Sequence, residues 1–278
     1  MTVLEVLQST AAYFKKRNVE SPRLNAEHLI AHSLGKKRIE LYLEFERPLG
    51  ESELAPLREL VRRRGQGEPL QHLLGTVEFG GDVFLTDTRA LIPRPETEQL
   101  VEYLCDFSWP KNPHMLDVGT GSGVIALSLA ARFPDAEIHA VDLSQDALDL
   151  ARENAERLGA LERIRLSQGH LLEGIDGEYD LIVANLPYVA TSEALQLARE
   201  VQHDPAIALY GGAQGDELIR ELIATAPPLM RPVGWLALEI GHDQSTRLVR
   251  FLEEKNYHDI TAKKDYAGNP RFLFARHG

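Results

Sequence analysis

Cysteine occurs once in the 278 residues. Cys105 thus has no partner for an internal disulfide and no second thiol for a metal site, which excludes a disulfide-stapled secreted scaffold and points to a reducing, intracellular setting. Its place in Leu100-Val101-Glu102-Tyr103-Leu104-Cys105 predicts a buried helix residue. Long apolar runs are also missing, since none approaches the roughly eighteen residues that span a bilayer. Signal-peptide order is absent as well: Glu5 comes early and Lys15-Lys16-Arg17 late. A cytoplasmic chain with no membrane partner is expected. Positive charge is scarce, with 30 Lys and Arg against 42 Asp and Glu, a net −12. That disfavours a protein that binds nucleic acid by releasing phosphate counterions, and favours a protein or small-molecule partner. The deficit is uneven: residues 1–75 carry 12 basic and 10 acidic side chains, and residues 76–278 carry 18 and 32. Internal repeats and low-complexity segments are absent too.

What is present suffices for a large domain and a small one without staples, since 44% of the residues are hydrophobic. Over residues 1–74, apolar residues recur three and four apart between polar caps, which predicts a small helical domain. Val3, Leu4, Leu7, Ala11 and Phe14 form one stripe. Ser21-Pro22 reads as a side-chain cap and first turn of a helix ending at Gly35, and Ser52 opens another that Gly65 and Gly67 break. Residues 75–91 alternate instead, with Val77, Phe79, Val83 and Leu85 on one face of a hairpin linker that turns at Gly80-Gly81-Asp82.

Residues 92–278 alternate short apolar runs with helical stretches. Seven strands are expected: His114 to Val118, Glu137 to Asp142, Ile164 to Ser167, Asp180 to Asn185, Gly234 to Ile240, Asp259 to Lys263 and Arg271 to Ala275. Helices such as Ser122 to Arg132, Gln145 to Leu158 and Asp216 to Ala226 fit between them. The fold class is therefore α/β, a doubly wound, mainly parallel, Rossmann-like sheet.

Asp117-Val118-Gly119-Thr120-Gly121-Ser122-Gly123 follows an apolar strand and opens an apolar helix. In that context a glycine-rich turn lets backbone N–H groups approach a ligand. Val124 stands where a dinucleotide fingerprint wants its third glycine, and no Lys-Ser or Lys-Thr follows, which excludes a P-loop. Asp142 closes the next strand, 19 residues after Gly123, where a carboxylate accepts hydrogen bonds from ribose hydroxyls. Ser144 is better placed than Asp142 to cap the following helix. Together these features predict a nucleoside cofactor and leave NAD and S-adenosylmethionine as alternatives.

The strand from Asp180 runs into Asn185-Leu186-Pro187-Tyr188 at its carboxyl end, where ligands bind in open α/β sheets. This tetrapeptide suits a planar nitrogen whose lone pair is delocalised. The Asn185 side-chain oxygen and the Leu186 carbonyl can accept from its N–H groups, Pro187 stiffens the turn, and Tyr188 offers a flat face. After a glycine turn and an acidic second strand, it points to an N-methyltransferase.

These residues are similar to those of the peptide-chain release-factor glutamine N5-methyltransferases, the PrmC/HemK family, over nearly the whole chain. Leu91-Ile92-Pro93-Arg94-Pro95-Glu96-Thr97-Glu98 resembles that family's I-P-R-P-x-T-E segment, and Pro205 to Gly212 its P-x-x-A-L-x-G-G stretch. Glu239-Ile240-Gly241 with Gln244, and Asp265 through Gly268 to Arg271, complete the likeness. The resemblance implies a class I methyltransferase domain, with S-adenosylmethionine at Asp117, Gly119, Thr120, Gly121, Ser122, Gly123, Asp142 and Leu143. It implies that Asn185, Leu186, Pro187 and Tyr188 hold the glutamine of a release factor's Gly-Gly-Gln loop. The family usually has Pro where Leu186 stands and Asp where His170 stands, so the adenine contact falls to backbone around His170 and Leu171. The enzyme is expected to act as a monomer, without binding nucleic acid directly.

Asn-Leu-Pro-Tyr is also the form seen in ribosomal-RNA adenine N6-dimethyltransferases, a likeness limited to one tetrapeptide. A noncatalytic cofactor-binding protein is the other alternative, opposed by intact Asn185, Pro187 and Tyr188. His28 and His32, four apart on a helix, lack a third ligand and read as surface or packing residues. Arg62-Arg63-Arg64 reads as a solvated face or, in this family, a contact with the protein substrate.

Overall fold

The computed structural model describes residues 1–277, so Gly278, the end of the expected 92–278 segment, lies outside the described residues. Two compact units are present: Met1–Thr76 with Ala198–His203, and Val77–Leu197 with Asp204 onward. The first holds α1 (Val3–Lys16), α2 (Pro22–Ser33), α3 (Arg38–Leu41), α4 (Glu51–Gly65) and α5 (Leu70–Leu74). Thr2 and Glu5 form a reciprocal cap on α1, satisfying two backbone donors. Val3, Leu7, Phe14, Leu29, Ile30 and Leu41 fill the unit's core.

Three local expectations differ from the structure. Ser21 does not cap α2 with its side chain: its backbone is left-handed, φ 45°, and its carbonyl accepts from the Asn25 backbone and side-chain N–H groups. Helix α4 starts after Gly50, whose N–H reaches back to Glu53. The arginine run is not one solvated face. Arg62 pairs with Glu59 and Arg63 with Glu68, while Arg64 is 2% exposed. Its guanidinium donates to Asn25 Oδ1 at 2.7 Å, the Glu68 carbonyl at 3.0 Å and the Glu200 carboxylate. Segment 198–203 is thereby tied into the helical unit.

The second unit opens with the hairpin β1 (Thr76–Phe79) and β2 (Asp82–Leu85). Its two-residue turn, Gly80-Gly81, puts positions 79 and 82 on one face, so the buried residue in β2 is Phe84 and Val83 is exposed. Phe84 meets Phe79 edge to face at 5.9 Å within the core of the sheet domain. There follow α6 (Pro95–Cys105), β3 (His114–Val118), α7 (Val124–Arg132), β4 (Glu137–Asp142), α8 (Gln145–Arg157), β5 (Ile164–Gln168) and β6 (Tyr179–Ala184). The chain continues through β7 (Val189–Ala190), β8 (Tyr210–Gly212), α9 (Glu217–Thr225), β9 (Met230–Glu239), α10 (Ser245–Glu254), β10 (Tyr257–Lys264) and β11 (Pro270–His277). Cys105 ends α6 half-buried, 3.8 Å from an Arg132 nitrogen.

The seven-stranded sheet has the order β10-β11-β9-β6-β3-β4-β5. Strands β9, β6, β3, β4 and β5 are mutually parallel, while β11 runs antiparallel to both neighbours. Alternate residues feed the two covered faces: Leu181 and Val183 enter one core, and Ile182 and Ala184 the other. Because the chain leaves β3 for β4 on one side and returns at β6 on the other, the carboxyl ends of these strands border a topological switch point. That is where a doubly wound sheet opens a crevice.

Candidate active site

At the end of β3 the chain turns through Gly119, Gly121 and Gly123, with φ of 74°, 57° and 84°. Side chains other than glycine rarely adopt these values. The Gly119 and Thr120 N–H groups bond to the Val141 carbonyl at 2.8 and 3.0 Å, and the Gly121 N–H bonds to the Asp142 carboxylate at 2.8 Å. Asp142 also accepts from the Ser144 N–H at 2.9 Å, while the Ser144 hydroxyl caps α8. The ends of β3 and β4 are thus locked together. On the far side of the turn, Asn154 of α8 binds the Ser122 carbonyl and both backbone groups of Leu85.

These residues wall a cleft of about 990 Å³, counting the space open to solvent. Gly119, Thr120, Gly121, Ser122, Asp142, Leu143, His170, Leu171, Asn185, Leu186 and Pro187 all line it. The other three expected site residues lie behind. Asp117 is buried beneath the turn, accepting from the Thr120 hydroxyl at 2.6 Å and the Ala126 N–H at 3.2 Å. Burial pushes its carboxyl up to about 7. Gly123 faces α8: a Cβ there would stand 3.2 Å from that of Ala151. Tyr188 is half-buried, and burial pushes its phenol up to about 12.

Several observations fit a nucleoside cofactor with a charged tail. Among the described residues, one Asp117 carboxylate oxygen and the Ser122 hydroxyl are buried with no hydrogen-bond partner. Leu143 is 46% exposed on the cleft wall next to Asp142, an apolar surface for a flat ring. Leu171, also on the cleft wall, holds a left-handed backbone, φ 48°, unusual for a branched side chain. His170 beside it stands 3.5 Å from Glu221. No group of three or more His, Cys, Asp or Glu side chains suited to a metal ion occurs among the described residues.

Asn185, Leu186 and Pro187 of the tetrapeptide line the same cleft. Leu186 is 4% exposed and packs on the glycine turn, where a Cβ on Gly119 would come within 2.9 Å of its Cδ2. The Gly-Gly pair that opens from Tyr210 backs the next residues, since a Cβ on Gly211 would lie 2.2 Å from the Pro187 carbonyl oxygen. Gln244 bridges the Gly241 N–H and the Tyr188 carbonyl, each at 2.9 Å.

The Leu91–Glu98 segment carries cleft residues that local pattern did not assign. Leu91, Pro93 and Thr97 line the cleft. Buried Asp204 holds the segment by accepting from the Ile92 N–H at 3.2 Å and the Arg94 guanidinium at 2.6 Å. The Thr97 hydroxyl donates to the buried Glu239 carboxylate at 2.8 Å and accepts from the Asn185 amide at 3.0 Å. The quoted likeness to I-P-R-P-x-T-E was the one signal for these positions.

Comparison with known proteins agrees with this arrangement. Residues 5–75 match the model of the PrmC N-terminal domain, and residues 96–212 that of the methyltransferase small domain. A release factor glutamine methyltransferase of Chlorobaculum tepidum is 40% identical over 277 residues, 95% of this chain and 94% of that protein. The Geobacter sulfurreducens protein of the same name is 39% identical, covering 100% and 97%. The Deinococcus radiodurans one is 39% identical, covering 99% of each. Among solved structures, a methyltransferase from Pyrococcus furiosus has the same fold, with a TM-score of 0.53 at 21% identity over 69% of this chain and 87% of that one. With such identity sustained from end to end, the chain belongs to the release factor glutamine methyltransferases.

Proposed function

We propose that this enzyme methylates the side-chain nitrogen, N5, of the glutamine in the Gly-Gly-Gln motif of peptide-chain release factors. S-adenosylmethionine is its cofactor and, when bound, supplies an electrophilic methyl group on a sulfonium. Asp142, the glycine turn from Gly119, Leu143 and the backbone around His170 and Leu171 hold the nucleoside end, and Asp117 supports the turn from below. The Asn185 side-chain oxygen and the Leu186 carbonyl accept the two N–H bonds of the glutamine amide. Their task is to hold a poor nucleophile in line and to favour the positive charge that grows on its nitrogen. No base is needed before attack, because the proton leaves afterwards. Such alignment is worth about 7 to 11 kcal/mol in well-oriented systems. Pro187 shapes the slot around the amide, and Tyr188 backs it from behind the cleft wall.

The observation that carries this reading is the Asn185 amide on the cleft wall, whose nitrogen is engaged by the Thr97 hydroxyl, which assigns its oxygen as the acceptor for the substrate. We read the protein as acting alone, as a monomer, on a protein substrate. The reaction belongs in the cytoplasm, where release factors meet ribosomes. Among the described residues no helix is long and apolar enough to cross a membrane.

The test is mass spectrometry of a release factor incubated with enzyme and methyl donor, with unmodified ribosomal RNA in parallel. A single methyl on the Gly-Gly-Gln glutamine is expected, and methyl incorporated only into RNA would overturn the reading. Asn185→Ala should lower kcat by at least about a hundredfold while cofactor affinity changes a few-fold, because alignment acts in the transition state. Unchanged turnover would remove Asn185 from the reaction.

A further inference from the structure

An asparagine amide has a donor end and an acceptor end of almost the same shape, and only its partners decide which faces a substrate. At Asn185 the wrong orientation would present N–H groups to the N–H groups of the glutamine. The neighbours that prevent this are two buried residues from distant parts of the chain. Thr97 on α6 is 3% exposed, and Glu239 at the end of β9 is 1% exposed. Asn185 Nδ2 lies 3.0 Å from Thr97 Oγ1, which lies 2.8 Å from Glu239 Oε2.

We propose that Thr97 and Glu239 form a positioning relay that sets the Asn185 amide with its oxygen toward the substrate nitrogen. The proposal rests on the role given above to Asn185. A threonine hydroxyl has one proton. Ionised Glu239 can only accept, so it takes that proton and leaves Thr97 nothing but lone pairs for Asn185. Asn185 must then turn its NH2 to Thr97. If Glu239 carries a proton, it can donate to Thr97 instead, Thr97 can donate to the Asn185 oxygen, and the amide is free to turn over. Neither Thr97 nor Glu239 touches the reacting atoms; both act through Asn185.

The relay is consequently sensitive to protons. Burial pushes the Glu239 carboxyl up to about 7, and Glu96 at the start of α6 adds to the rise. The Thr97 hydroxyl bond and the charges of Arg271 on β11 and Arg94 before α6 oppose it. Tyr188 also faces this group, and the charge of Glu239 helps to keep its phenol protonated. The sign follows: the aligned state requires ionised Glu239, so turnover falls as pH drops through neutrality.

The test measures kcat, KM and their pH profiles from about pH 5.5 to 9 on release factor. Wild type comes first, with the methyl located on the glutamine, so that failure of the substrate reading is seen separately from failure of the relay. Thr97→Val removes the hydroxyl and should lower kcat ten- to a hundredfold, with cofactor affinity by calorimetry within a few-fold. Thr97→Ser, which keeps the hydroxyl, should restore most of kcat. Glu239→Gln cannot titrate, and its amide can donate as well as accept. It should lower kcat several-fold at pH 8 and abolish the acid limb. Full kcat in Thr97→Val, or a wild-type acid limb in Glu239→Gln, would overturn the relay. Should Thr97→Val fail to bind cofactor, the limb of Glu239→Gln decides alone.

Discussion

At Asp142 both carboxylate oxygens are already engaged by backbone, Gly121 on one and Ser144 on the other. A carboxylate oxygen has two lone pairs, so each can still accept a ribose hydroxyl. One residue therefore shapes the turn and keeps acceptor capacity for the ribose contact proposed for it. Burial raises its pKa, and the backbone N–H bonds oppose that rise. Asp142→Ala removes both functions. Each lost bond of this kind costs about 1 to 3 kcal/mol, so calorimetry should show cofactor affinity falling by ten- to a hundredfold or more. An unchanged dissociation constant would contradict the assignment. Asp142 was visible in the sequence because its signal is local: a short apolar strand ending in an acid at a set distance from a glycine turn. Thr97 and Glu239 had no such signal. Their hydrogen bonds span 88 and 142 positions, and nothing in the intervening pattern marks them.

The same contrast between local and distant partners runs through the secondary-structure elements. Parallel strands buried on both faces read as apolar runs, and all seven sheet strands overlap the expected segments, β3 and β4 with the expected bounds and the other five with shifts at one or both ends. The hairpin was legible as a hairpin, but its inward face was not. The turn length sets the phase of β2 relative to β1, which is why Phe84 rather than Val83 is buried. Helix α4 shows the limit most clearly. Arg62, Arg63 and Arg64 are alike in sequence, yet Arg64 alone is buried, held by Asn25 and Glu200, 39 and 136 positions away. A buried guanidinium whose hydrogen bonds run to a side chain, a carbonyl and a carboxylate should be costly to lose: Arg64→Ala strips the Asn25 Oδ1 and the Glu68 carbonyl of this donor, while Glu200 is exposed enough to be solvated, a cost of about 1 to 3 kcal/mol. In thermal or denaturant unfolding it should markedly lower the midpoint of the helical unit, whereas Arg62→Ala should leave it unchanged. Equal midpoints for the two variants would show that Arg64 gives no more stability than a surface arginine.

Over the whole molecule, the net charge of −12 first counted against nucleic acid as a partner. The structure refines what that charge can do. The cations of the helical unit are largely consumed within it, since Arg23 and Arg38 share Glu27, Arg47 serves Glu44 and Glu53, and Arg58 pairs with Glu51. Residues 76–278, which build the cleft, carry 32 acidic and 18 basic side chains. We propose that this acidity attracts a positively charged loop of the protein substrate during diffusion. Attraction of this kind speeds encounter more than it tightens the final complex, and salt weakens it as the Debye length shrinks from about 30 Å at 0.01 M to about 8 Å at 0.15 M. The kcat/KM for release factor should therefore fall several-fold over that range, while kcat, measured at saturation, stays level. A flat kcat/KM would mean that the acidity has no part in capture, and a falling kcat would place the salt effect in the aligned complex instead.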